Sequence, residues 1–134
     1  MAKRKEKNIS FRKYVFVFLI IFLIILIFTF MDYLIHSISK EYAVPSYYFK
    51  NKIIFGMGIG FISYLFLKRL SCFAKSLFFS LIISILLQIR YFLEGYSIKF
   101  VLEFLVIHFL ILFVVSLIVF KLLENKILKG GEIR

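Results

Sequence analysis

Asp32 and His36 stand four residues apart at the end of a long apolar run, so on a helix a carboxylate and an imidazole share one face. Arg90 with Glu94, and Lys99 with Glu103, repeat that spacing with opposite charges at the edges of two later apolar runs. His108 lies deeper in the last run, about 12 Å along the helix from Phe100. Ionisable groups inside apolar segments are costly and mark functional candidates. If the segments run alternately up and down, Asp32, Arg90 and Glu103 fall at nearly one depth, about one helical turn inside the outer boundary.

Three chemistries fit this layer. In the first, Arg90 sits between Asp32 and Glu103 as an ion-pair cluster that fixes helix register. In the second, Asp32, His36, Glu103 and His108 offer carboxylate and imidazole ligands suited to a borderline divalent metal. Glu103 and His108 diverge by about 140° around their helix, so both cannot ligate one ion without a bend. In the third, His108 is the deepest titratable group and exchanges protons with Glu103 or Asp32. Against these stands the plainer use of a membrane histidine, a hydrogen bond to a neighbouring helix.

The elements that position these residues are apolar runs of membrane-spanning length. Tyr14–Ile35 carries a single charge, and further runs lie around Ile53–Leu67, Leu77–Phe92 and Phe100–Phe120. About 20 apolar residues cross a hydrocarbon core as a helix. The expected fold is all-α, an integral membrane four-helix bundle with both termini cytoplasmic. Its parts are a basic arm over residues 1–13, a four-span domain over 14–123 and a tail over 124–134. The helices are expected at about 14–35, 47–67, 75–93 and 98–123. For the second helix, Pro45-Ser46 is a helix start with Ser46 as N-cap. Lys50 and Lys52 then fall in the first turns and snorkel outward. The apolar run after the basic arm is too long for a cleaved signal peptide and lacks a small-x-small site, so it reads as a retained anchor.

Orientation follows from charge. Thirteen Lys and Arg fall on the side of the termini and the Lys68–Lys75 connection, against five on the other. The positive-inside rule then places both termini in the cytoplasm. The formal net charge of +11 sits at span ends, a topology pattern rather than a nucleic-acid surface. The expected partners are the lipid bilayer, anionic lipids at the cytoplasmic face, and a second copy or a larger membrane complex, with no nucleic acid. The expected location is a cytoplasmic membrane of prokaryotic type. Six of the eight tyrosines fall toward the outer side, where amphipathic rings form an interfacial belt or, alternatively, a small ordered cap.

Packing in lipid depends on close backbone approach and interhelical hydrogen bonds. Gly56, Gly60 and Ser63 form a small-residue face on the second helix. Cys72, Ser76, Ser80, Ser84 and Gln88 form a four-residue ladder on the third. These two faces are expected to meet in a close hairpin.

The chain holds one cysteine, no HExxH, no GxSxG and no phosphate-cradling loop. In size it is similar to the small multidrug exporters. Those carry a glutamate in the middle of the first helix, where Phe18–Phe28 here is only Phe, Leu and Ile. No internal repeat relates the first helix pair to the second, which disfavours an inverted-repeat transporter. The sequence therefore points to a non-enzymatic accessory or assembly component without a cofactor. The competing class is a membrane enzyme or a proton- or metal-coupled carrier that uses the outer ionisable layer.

Overall fold

The apolar periodicity resolves into four helices in the computed structural model, which describes residues 2–132, with side-chain placement for residues 10–123. They are α1 (Ala2–His36), α2 (Tyr47–Leu67), α3 (Cys72–Leu93) and α4 (Ile98–Glu132), and the described residues contain no strand. The basic arm and the tail thus continue α1 and α4 as helix. The side chains of their cations before Ser10 and beyond Leu123 lie outside the described residues. Ser10–His36, Cys72–Leu93 and Ile98–Leu123 are each long and apolar enough to cross a membrane. The chain is a membrane protein on that ground. α2 has 21 residues but carries Lys50, Asn51 and Lys52 near its start.

Each helix packs against its neighbours in chain order, and α1 closes the ring against α4. Contacts between α1 and α2 pair Ile25 with Gly56 and Ile21 with Gly60, so the two helices are antiparallel. α3 and α4 are antiparallel as well, since Gln88 meets His108 and Ser80 meets Ser116. The start of α1, the end of α4 and the α2–α3 connection therefore share one end of the bundle, the terminal end. The α1–α2 and α3–α4 connections share the other, the distal end.

Local chemistry explains the helix boundaries. The Ser71 hydroxyl accepts from the Ala74 N–H at 3.3 Å and caps α3, which begins three residues earlier than expected. At the far end of α3 the chain reverses through Gly95 at φ +92°, a left-handed conformation that favours glycine. Ser97 then caps α4 by accepting from the Phe100 N–H. Ser46 departs from expectation. Its backbone is already helical and its side chain caps nothing. Pro45 starts the turn instead, its carbonyl accepting from the Tyr48 N–H at 3.1 Å.

The core is one stripe per helix. On α1 the buried positions Val17, Ile20, Ile21, Ile24, Ile25, Phe28, Thr29, Asp32 and His36 follow three- and four-residue steps. On α2 the stripe is Tyr48, Lys52, Gly56, Gly60 and Tyr64. The expected glycine-to-serine hairpin is not what forms. The glycine face receives Ile21 and Ile25 of α1, with Phe79 of α3 at its edge. The serine ladder turns toward α4, where Ser80 and Ser116 hydroxyls lie 3.4 Å apart and the Cys72 thiol faces the Leu117 carbonyl. The reason is steric. α1 presents branched Ile side chains that need the room glycine leaves. Ser76, Ser80 and Ser84 satisfy their hydroxyls on carbonyls four residues back, and so behave as small residues that let α4 approach.

Lys75 also departs from its expected place in the loop. It is buried inside the terminal end, its ammonium 5.1 Å from the centre of the Tyr64 ring and 5.7 Å from that of Phe120.

Candidate functional site

The helix stripes converge at the distal end on a buried polar centre. Asp32 and His36 are the last members of the α1 stripe, Lys52 lies one turn above Gly56 on α2, Gln88 ends the α3 ladder, and His108 interrupts the α4 stripe. All five are buried. The Asp32 carboxylate is the hub. One oxygen accepts a hydrogen bond from His108 Nε2 at 2.8 Å. The other receives the Lys52 ammonium. The Lys52 charge therefore compensates the carboxylate inside the bundle, as a buried charge requires.

Hydrogen bonds orient both imidazoles. His36 Nδ1 meets the Tyr42 carbonyl at 2.5 Å, which places a proton on Nδ1. Its Nε2 then faces the centre, 3.3 Å from Asp32, 3.4 Å from the Lys52 ammonium and 3.4 Å from the Tyr91 hydroxyl. Phe104 stacks on the ring at 4.3 Å with an interplanar angle of 4°. His108 donates to Asp32 through Nε2, so its Nδ1 accepts from the Gln88 amide at 2.7 Å. In this arrangement the buried Gln88 carbonyl oxygen has no partner among the described residues.

The layer expected from sequence is thus divided. Asp32, His36 and His108 come together. Arg90, Glu94 and Glu103 do not join them. Arg90 pairs with Glu94 at 3.1 Å, both about one-third exposed. Glu103 lies 4.0 Å from the exposed Lys99. The expected Asp32–Arg90–Glu103 cluster is therefore replaced by Asp32–Lys52–His108. The reason is angular. Arg90 lies two residues past Gln88, about 200° around α3 from the inward ladder. Glu103 is off the α4 stripe that carries Phe104 and His108. Depth alone suggests the grouping, and azimuth decides it.

Lys52 is the member that sequence reasoning misses. The signal is present, since Lys52 continues the ladder Gly56–Gly60 by one step and cannot snorkel without leaving it.

The metal-ligand set of the second reading also changes. Asp32, His36 and His108 each place a ligand atom within 4.8 Å of the others, and Glu103 is excluded. Two imidazoles and a carboxylate suit zinc or ferrous iron.

Aromatic rings enclose the centre from the distal side. Tyr48, Tyr91, Phe100, Val101 and Phe104 form a separate buried cluster, with Tyr42 and Tyr96 packed against it. The tyrosines thus divide between the two expected arrangements. Tyr33 and Tyr47 face outward as belt residues, and the inner four build an ordered cap. In the α3–α4 connection, burial, with Glu94 and Tyr47 nearby, pushes the Tyr96 phenol up from its ordinary pKa, so it stays neutral.

Two clefts reach this end. One of about 450 Å³ lies under the α1–α2 connection and touches His36. The other, about 340 Å³, opens between α2 and α3 and touches Lys52 and Tyr91. Neither a family model, nor a curated protein, nor a solved structure matches this chain. The functional reading therefore rests on the geometry of the centre itself.

Proposed function

We propose that the chain is a small, non-enzymatic multi-pass membrane protein whose distal polar centre locks four spans into one rigid body. It would serve as an accessory or assembly component within a larger membrane complex or a homo-oligomer. The observation that carries this reading is the saturation of Asp32. Both of its oxygens are held by protein groups, and all four helices supply residues to the centre through Asp32, Lys52, Gln88 and His108. The two clefts end on His36, Lys52 and Tyr91 and stop short of Asp32 and His108. A carboxylate so enclosed suits a structural clamp better than a base that must meet substrate.

The same ion pair supports α2 as a fourth span. Its 21 residues extend about 31 Å. Of Lys50, Asn51 and Lys52 near its start, Lys52 is the one buried, and Asp32 compensates its charge. Setting aside the two buried lysines, one from each side, the cation balance is twelve at the terminal end against four at the distal end. That supports cytoplasmic termini. Reporter fusions after Arg134 and within Ser37–Ala43 should report cytoplasmic and external locations respectively. An external signal from the C-terminal fusion would overturn the topology.

A divalent-metal centre is the second reading, favoured by one observation. The unpartnered Gln88 oxygen marks an alternative amide orientation in which it accepts from His108 Nδ1. Both histidines would then offer Nε2 lone pairs toward Asp32, each steadied by a carbonyl oxygen on its other nitrogen. Lys52 occupies that space and would have to swing away. On the primary reading, purified protein incubated with zinc and desalted retains well under about one zinc per chain. Retention near one per chain, lost in His108→Ala, would replace the clamp with a metal centre.

A further inference from the structure

We propose that the cleft between α2 and α3 binds an anionic phospholipid, its phosphate at Arg90 and one acyl chain descending along Phe55, Ile59 and Leu86. This goes beyond the clamp reading and does not depend on it. The cleft lies on the outside of the bundle, its mouth edged by the exposed side chains of Phe55 and Leu86. Its volume of about 340 Å³ falls within the range of ligand-binding clefts.

Polarity within the cleft is graded along the bundle axis. At the distal end it is lined by Tyr48, Asn51, Lys52 and Arg90, which include two cations and no acid. Toward the middle of the bundle the lining becomes Phe55, Ile59, Leu86 and Leu87. Lys52 and Ile59 are separated by about 10 Å of helix. A lipid presents the same gradient in the same direction, with its phosphate near the membrane boundary and its chain deeper. A soluble anion would use only the polar end, and a neutral hydrophobe only the apolar one.

Arg90 is built to hold the phosphate. Its guanidinium carbon sits 5.2 Å from the centre of the Tyr48 ring and 5.7 Å from that of Phe55, so two aromatic faces fix its plane. Its Nε bonds to Glu94. Its two terminal amino groups have no protein hydrogen bond among the described residues. A planar fork with free paired donors matches a phosphate bidentately. Lys52 lies at the floor with its charge compensated by Asp32, so the phosphate is left to Arg90.

The test is native mass spectrometry of the full chain released from detergent after titration with phosphatidylglycerol or phosphatidylcholine, with glycerol phosphate as the soluble headgroup. The expected result is one tightly retained phosphatidylglycerol per chain, favoured over phosphatidylcholine by about fivefold or more. Arg90→Gln should abolish that preference. Lys99→Gln, which removes an exposed cation at the same end, should leave it intact. Leu86→Trp fills the mouth without touching charge and should displace the bound lipid. It also supplies an answer if Arg90→Gln fails to fold. Equal retention of the two lipids, retention unchanged in Leu86→Trp, or an equal loss in Lys99→Gln would overturn the proposal. So would binding of glycerol phosphate as tight as that of the lipid, since the site would then be one for soluble anions.

Discussion

Asp32→Asn and Lys52→Met should each destabilise the protein by about 3–5 kcal/mol, and the double variant should recover at least half of that loss. Asp32→Asn leaves the Lys52 ammonium buried beside a neutral amide and the two imidazoles. Lys52→Met leaves the carboxylate with His108 as its one close donor. Either single change leaves a buried charge without its partner. The double change removes both charges and keeps similar volumes, which often costs little in a buried pair. A double-mutant cycle on thermal unfolding in detergent reads the coupling directly. Additive losses would mean that the pair does not hold the bundle together. Arg90→Ala is the internal control. Its pair with Glu94 is about one-third exposed, so its loss should cost under about 1 kcal/mol. A cost from Arg90→Ala as large as from Asp32→Asn would restore the grouping by depth that the sequence suggests.

The second large effect is expected at Gly60. A Cβ there would lie 2.9 Å from Ile21 Cγ2 and 3.3 Å from the tip of the Phe79 ring. Gly60→Ala should therefore force α1 and α2 apart slightly and cost about 1–3 kcal/mol by overpacking. Gly60→Leu should prevent the bundle from closing. A Cβ on Gly58, two residues away, would meet nothing within 4 Å, so Gly58→Ala should be neutral or mildly stabilising through helix propensity. Combining Gly60→Ala with Ile21→Val trims only Cδ1 and keeps the Cγ2 methyl that the new Cβ would meet, so it should return little of the loss. The measurement is the unfolding midpoint of the four variants in one detergent. Equal midpoints for Gly58→Ala and Gly60→Ala would show that α1 does not seat on this face.

Much of the distal centre is legible from stripes. Asp32 and His36 extend the α1 series that passes through Ile21, Ile25 and Phe28, and His108 extends the α4 series through Phe104 and Leu112. A residue that continues a core stripe faces the core whatever its polarity. Lys52 obeys the same rule on the Gly56–Gly60 ladder. Sequence reasoning places it at the surface because a lysine near a helix end usually snorkels. Arg90 and Glu103 are drawn inward when depth is weighed without azimuth. The serine and glycine faces are packing surfaces, as their composition implies, but they do not pack on each other. A small-residue face shows where a neighbour approaches, and the neighbour's own shape decides which helix that is.

The sequence by itself determined four helices, the side-by-side order forced by short connections, the charge asymmetry between the two ends and the presence of ionisable groups within apolar runs. These follow from length, periodicity and composition, which are local properties of the chain. The tertiary structure alone decided the partners. Asp32 meets Lys52 from 20 residues away and His108 from 76 residues away, and Gly60 meets Ile21 rather than the serine ladder. Such pairings depend on the rotation of each helix about its axis. That rotation is set jointly by every contact around the ring, so no single segment encodes it.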